Sequence, residues 1–144
     1  MTPMTPAEIV AKMMEKDFFS QWLGIEVMEI RPGYCLLRMR VREEMCNGFS
    51  IAHGGISFSL ADSALAFAAN GHGEHAVSIS TAIDHLEKVE PGDILMAEAV
   101  ELHTSRKLAR YRVEIFDEAG AMKAIFRGTV YRTGKTWEQL SIKN

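Results

Sequence analysis

Two cysteines, Cys35 and Cys46, are too few for a disulfide framework. At 144 residues the chain can bury a genuine core without one, so reduced thiols and a cytoplasmic setting are expected. Positive charge is not in excess either. A net charge of -3 argues against nucleic acid as the main ligand, although a local pair such as Arg106-Lys107 could meet phosphates. No apolar run reaches the ~20 residues that a bilayer requires; the best candidate, residues 56–69, is shorter and holds Asp62 at its middle. No membrane partner is therefore expected. At the N-terminus Glu8, Lys12, Glu15, Lys16 and Asp17 interrupt every apolar stretch, so residues 1–22 read as an N-terminal helical segment rather than a secretion signal. Repeats, low-complexity tracts and linkers are absent, and residues 1–144 read as one domain.

What is present is a clear order of elements. Thr5-Pro6-Ala7-Glu8 supplies a capping hydroxyl, a proline at the first helical position and a Glu three residues after the cap. Ile9, Val10, Met13, Met14 and Phe18 then recur at helical spacing, which predicts one helix packed across an edge of the domain. Residues 24–41 read as a hairpin about Pro32-Gly33. After an apolar helix, strands are predicted at about residues 76–85, 94–103, 108–116 and 122–131, with turns at Pro91-Gly92-Asp93 and at residues 117–120. Arg110, Arg112 and Glu114 alternate with Tyr111, Val113 and Ile115, so one face is wet and the other buried, and the closing strands form an antiparallel meander. The expected fold class is α+β, with an antiparallel sheet wrapped around a long central apolar helix and covering it on nearly every side.

Between Glu44 and Glu74 only one side chain is charged, Asp62. An ionised carboxylate taken out of water costs several kcal/mol, so such a group is exposed on one face, paired, protonated or kept for chemistry. The plain reading is a structural Asp bonded to backbone or to Ser59 or Ser63. The other begins with Gly54 and Gly55 at the helix entrance. Two glycines there let a ligand reach unpaired backbone N–H groups, and the positive helix end favours an oxygen that becomes anionic. Isolated glycines more often serve close packing; beside His53 and Asp62 the balance moves to function.

Asn47-Gly48, His53-Gly54-Gly55 and Asp62, with the Asn six residues before the His and the acid eight after the first Gly, resemble the signature of the hotdog-fold acyl-CoA thioesterases. Within them the chain is most similar to the phenylacetate-degradation type, PaaI. The resemblance continues through Ile83-Asp84-His85-Leu86, Pro91-Gly92-Asp93 and Ala124-Ile125-Phe126-Arg127-Gly128. One stretch departs from it: the family often has an aromatic, Leu, Arg and Pro where this chain has His85-Leu86-Glu87-Lys88. The resemblance implies that Asp62 is the catalytic carboxylate, as nucleophile or as base for water. It further implies that the Gly54 N–H polarises the thioester carbonyl and that Asn47 and His53 organise the site. His53 reads equally well as a helix-entry residue whose ring bonds backbone. Gly55 and Phe58 are expected on the substrate side, and of the strand hydroxyls Ser78, Ser80 and Thr81, Ser80 is the one expected to assist.

The implied substrate is an acyl-CoA with an aryl-acetyl or other small to medium acyl group, hydrolysed without cofactor. No metal is expected, because His72 and His75 flank what reads as a solvated loop. A non-catalytic acyl-CoA sensor on the same fold is the alternative, disfavoured because a sensor needs the pocket but not the acid. A hydratase is a further rival whose Asp and His spacing does not match. On one straight helix Gly54 and Asp62 would stand ~12 Å apart along the axis, so one thioester cannot reach both. A homodimer or homotetramer with active sites at the subunit interface is therefore expected.

Overall fold

The computed structural model describes residues 2–142. Thr5 and Glu8 close their reciprocal cap, at 3.2 Å from the Glu8 N–H to the Thr5 hydroxyl and 3.1 Å from the Thr5 N–H to the Glu8 carboxylate, and α1 runs Pro6–Met14. Ile9 and Val10 face the core. The stripe does not extend to Phe18, and the segment foreseen over residues 1–22 is two helices. Asp17 caps a second one, accepting from the Ser20 N–H at 3.0 Å, so α2 runs Phe18–Leu23 and Phe18 is 71% exposed. Gly24, at φ 76°, ends α2 in the left-handed conformation that favours glycine. The Arg42 guanidinium completes that end, donating to the Trp22 carbonyl at 2.7 Å and the Leu23 carbonyl at 3.2 Å.

Strands β1 (Glu26–Arg31) and β2 (Tyr34–Arg40) form the expected hairpin. A 3-10 turn over Glu43–Met45 leads to α3 (Gly54–Asn70), then β3 (Glu74–His85), β4 (Ile94–Thr104), β5 (Leu108–Asp117), β6 (Met122–Thr136) and α4 (Trp137–Ile142). The sheet order is β1-β2-β4-β5-β6-β3, with every neighbouring pair antiparallel. The meander comprises β4, β5 and β6 only; β3 pairs with β6 and forms the sheet edge. His75 stands within β3 rather than in a loop.

Helix α3 lies against one face of this sheet. Leu60, Ala61, Ala64, Leu65, Phe67 and Ala68 are buried among Leu37, Leu95, Ala97, Val113, Ile115 and Phe126. The alanines keep the helix close, and so does Gly128 on β6, where a Cβ would stand 2.6 Å from Leu65 Cδ2. The helix is not covered on nearly every side, as the sequence suggests. Gly55 is exposed and Phe58, Ser59, Asp62, Ser63 and Ala66 are only partly buried, and together they form one stripe along the helix. Among the described residues no helix is long and apolar enough to cross a membrane.

Candidate active site

His53 holds the entrance to α3. Its main chain is extended, and its Nδ1 accepts the Gly55 N–H at 3.2 Å, which leaves the ring proton of the neutral imidazole on Nε2. The ring thus bonds backbone, and the Gly55 N–H is occupied. The Ile56 N–H goes to the His53 carbonyl at 2.9 Å. The Gly54 N–H meets no acceptor among the described residues and stands at the positive end of a seventeen-residue helix.

Gly54 lines a cavity of about 580 Å³ together with Asn47, Ala52, Ser57, His85, Lys88 and others. The strand-like bridge between Cys46 and Ala52 closes the loop that carries Asn47. Within it the Asn47 side-chain oxygen accepts the Phe49 N–H at 2.9 Å, and Ser50 takes the left-handed conformation at φ 62°. Asn47 therefore shapes the rim through its own turn. His53 and Gly55 border a neighbouring groove with Phe19, Cys46 and Ser59.

Asp62 lines neither of these hollows. It sits on the uncovered stripe, half-buried, and its carboxylate meets no hydrogen-bond donor among the described residues. Burial raises its pKa above the ordinary aspartate value of 3.8, and the nearby Asp17 raises it further. Asp17 is itself engaged: its second oxygen accepts the Ser20 hydroxyl at 2.7 Å, and that hydroxyl lies 2.8 Å from the hydroxyl of Ser63. Neither Ser59 nor Ser63 bonds Asp62, which leaves the carboxylate free of the local partners expected of a structural Asp.

Phe58 packs edge-on against Phe126, ring centroids 5.3 Å apart, and so joins the core while touching the stripe. Ser80 does not join the site. Strict alternation along β3 would put Ser78 and Ser80 on one face, but the register shifts between them. Ser78 pairs with the buried Val130 and Ser80 with Thr129, so Ser80 faces away from α3, toward Leu102, Arg110 and Arg127. Ser78 and Thr81 keep the helix side, Thr81 opposite Gly128. His85 was not among the candidates; its approach to Gly54 joins parts of the chain far apart in sequence, for which no local pattern exists. His72 lies 2.9 Å from Glu101 and His75 3.2 Å from Thr133, at the other end of α3.

The sequence pattern of the thioesterase superfamily matches residues 49–124. Acyl-coenzyme A thioesterase PaaI of Escherichia coli is 37% identical over 124 residues, covering 86% of this chain and 89% of that protein. The solved structure of the E. coli PaaI protein superposes with a TM-score of 0.88 at 35% identity, over 91% of this chain and 95% of that one. A Thermus thermophilus protein of known structure gives 0.78 at 40% identity, over 81% and 98%. Human acyl-coenzyme A thioesterase 13 is 28% identical over 124 residues, 83% of this chain and 89% of its own. Six antiparallel strands around α3, matched at this level, are the hotdog fold.

Proposed function

Since the chain belongs to the thioesterase superfamily and is a thioester hydrolase, we propose that it cleaves acyl-CoA thioesters to free acid and CoA with Asp62 and the Gly54 N–H as its reacting groups. The observation that carries this reading is a pair of unsatisfied groups of opposite use. One is the Gly54 N–H at the head of α3, opening on a cavity; the other is the unpartnered Asp62 carboxylate on the same helix.

In the favoured mechanism Asp62 takes a proton from water while the water oxygen bonds the thioester carbon. The carbonyl electron pair moves to oxygen, where the Gly54 N–H and the helix dipole stabilise it; one such donor is worth roughly 3 kcal/mol in the transition state. When the tetrahedral intermediate collapses, the C–S bond breaks, its electron pair leaves on sulfur, and the proton held by Asp62 returns to the thiolate. A pKa raised by burial suits a base better than a direct nucleophile, because a base works best near the operating pH. Aryl-acetyl and other small to medium acyl groups fit the resemblance to the phenylacetate-degradation enzymes.

The two groups cannot serve one thioester from the same chain. They are eight residues apart on one unbroken helix, ~12 Å along its axis, and both must come within roughly 3 Å of the reacting group. The reading therefore includes a homodimer, or a dimer doubled into a tetramer, in which the Gly54 of one protomer meets Asp62 of the partner subunit. The test is thiol release from a panel of acyl-CoAs. Asp62→Asn is expected to lower kcat by at least about 100-fold with the fold retained. Wild-type turnover in that variant would remove the catalytic assignment, and binding of acyl-CoA without thiol release by the native protein would favour the sensor.

A further inference from the structure

His85 is the last residue of β3, and its cross-strand neighbour Ala124 is buried, so its side chain lies on the α3 side of the sheet. The three atoms nearest the point where a Gly54 Cβ would stand all belong to its ring: Nε2 at 3.1 Å, Cε1 at 3.5 Å and Cδ2 at 3.8 Å. The nitrogen edge of the imidazole is therefore turned toward Gly54, so close that a Cβ there would require the ring to give by a few tenths of an ångström. Both residues line the same cavity. Among the described residues neither the Gly54 N–H nor the His85 ring has a hydrogen-bond partner. The other polar groups of that cavity are placed differently. Asn47 spends its oxygen on its own turn and Ser57 is buried; Glu87 and Lys88 are exposed, as His85 is, but neither is among the atoms nearest Gly54.

We infer that His85 is a second donor to the thioester carbonyl oxygen, its Nε2–H converging with the Gly54 N–H on the oxygen that becomes anionic. This role rests on the hydrolase reading above. An oxyanion has room for more than one donor, and a ring that already stands beside Gly54 is close to where the charge develops.

The test compares His85→Phe, which keeps a ring against Gly54, with His85→Gln, which keeps a side-chain N–H. Two readouts are taken: kcat and KM for acyl-CoA, and the 13C resonance of the carbonyl in a bound ketone analogue whose methylene replaces the thioester sulfur. His85→Phe is expected to lower kcat about tenfold or more, with KM within about threefold. It should also shift the carbonyl resonance upfield, as the loss of a hydrogen-bond donor does, while His85→Gln recovers part of both. Unchanged kcat together with an unmoved resonance in His85→Phe overturns the proposal. So does a loss of kcat in both variants while the carbonyl resonance stays in place, because that pattern belongs to a structural ring. If the wild-type protein neither turns over acyl-CoA nor binds the analogue, the hydrolase reading falls and this role falls with it.

Discussion

Asp62 can act as a base only as an anion, and its surroundings oppose that form. Burial is the larger cause and the Asp17 carboxylate the second; Ser59, Ser63 and Phe58, its neighbours on the stripe, carry no charge to offset them. A carboxyl pKa raised in the folded state contributes stability that is present at pH below the unfolded value and lost as pH rises through the folded one. Three outcomes follow from the raised pKa. The acid limb of kcat/KM should lie above the ordinary aspartate range, and Asp17→Asn, which retains the cap on the Ser20 N–H, should move it to lower pH. A limb that stays in place in this variant would mean that Asp17 is too well screened to matter. In thermal melts against pH, Asp62→Asn should match or exceed the wild type at neutral pH, with the difference vanishing in acid. Asp62 and Gly54 stand out in the sequence as candidates because each violates its setting, a lone charge in an apolar run and paired glycines at a helix start. The face of Ser80 was not legible there, since the shift of register that turns it away from α3 is imposed by pairing with β6.

The elements divide in the same way. Strands β4, β5 and β6 were readable because each is half-buried and alternates, and α3 because its apolar run is long. The break between α1 and α2 had a local signal, the Asp17 and Ser20 cap, which a stripe continued through Phe18 obscures. The place of β3 at the sheet edge had none, because sheet order is decided by which strands meet in space. What is fixed locally is the entry into β3, and the residue that fixes it is Asn70, the buried last residue of α3. Its amide donates to the carbonyls of Ala66 at 2.8 Å and Ala76 at 3.0 Å, and its oxygen accepts from the Ala76 N–H and the Trp137 indole N–H, each at 2.9 Å. One side chain thus ties the end of α3 to the start of β3 and to α4. Asn70→Ala would leave the Ala76 groups without partners in the interior, at a cost of about 2–4 kcal/mol. The melting temperature should fall by roughly 5–15 °C, while kcat per folded molecule is retained at a temperature where the variant is folded. A drop of less than about 2 °C would show that water or a rearranged turn replaces the clamp.

At the scale of the whole molecule, two of the surfaces left open among the described residues bear on assembly. One is the stripe of α3 that carries Asp62. The other is the free edge of β3, where Val77 is 44% and Ile79 59% exposed. An unpaired strand edge with apolar side chains is a template for another strand, and a protein normally covers it. A second copy related by a two-fold axis can cover both at once, since a two-fold brings identical surfaces together, and antiparallel copies of α3 would carry each Gly54 toward the partner's Asp62. His85 belongs to the Gly54 half of such a site, so an Ala at position 54, whose Cβ would stand 3.1 Å from the ring nitrogen, damages one half alone. Asp62→Asn damages the other half alone. Each variant by itself should be inactive, because every site then contains one damaged half. Mixed under conditions that exchange subunits, they should regain up to about half of the wild-type activity per mixed dimer, the two-fold leaving one site intact and the other doubly damaged. Thiol release with native mass spectrometry of the mixture measures both quantities. An inactive mixture that contains mixed dimers, or a fully active monomer, would contradict a site shared between two chains.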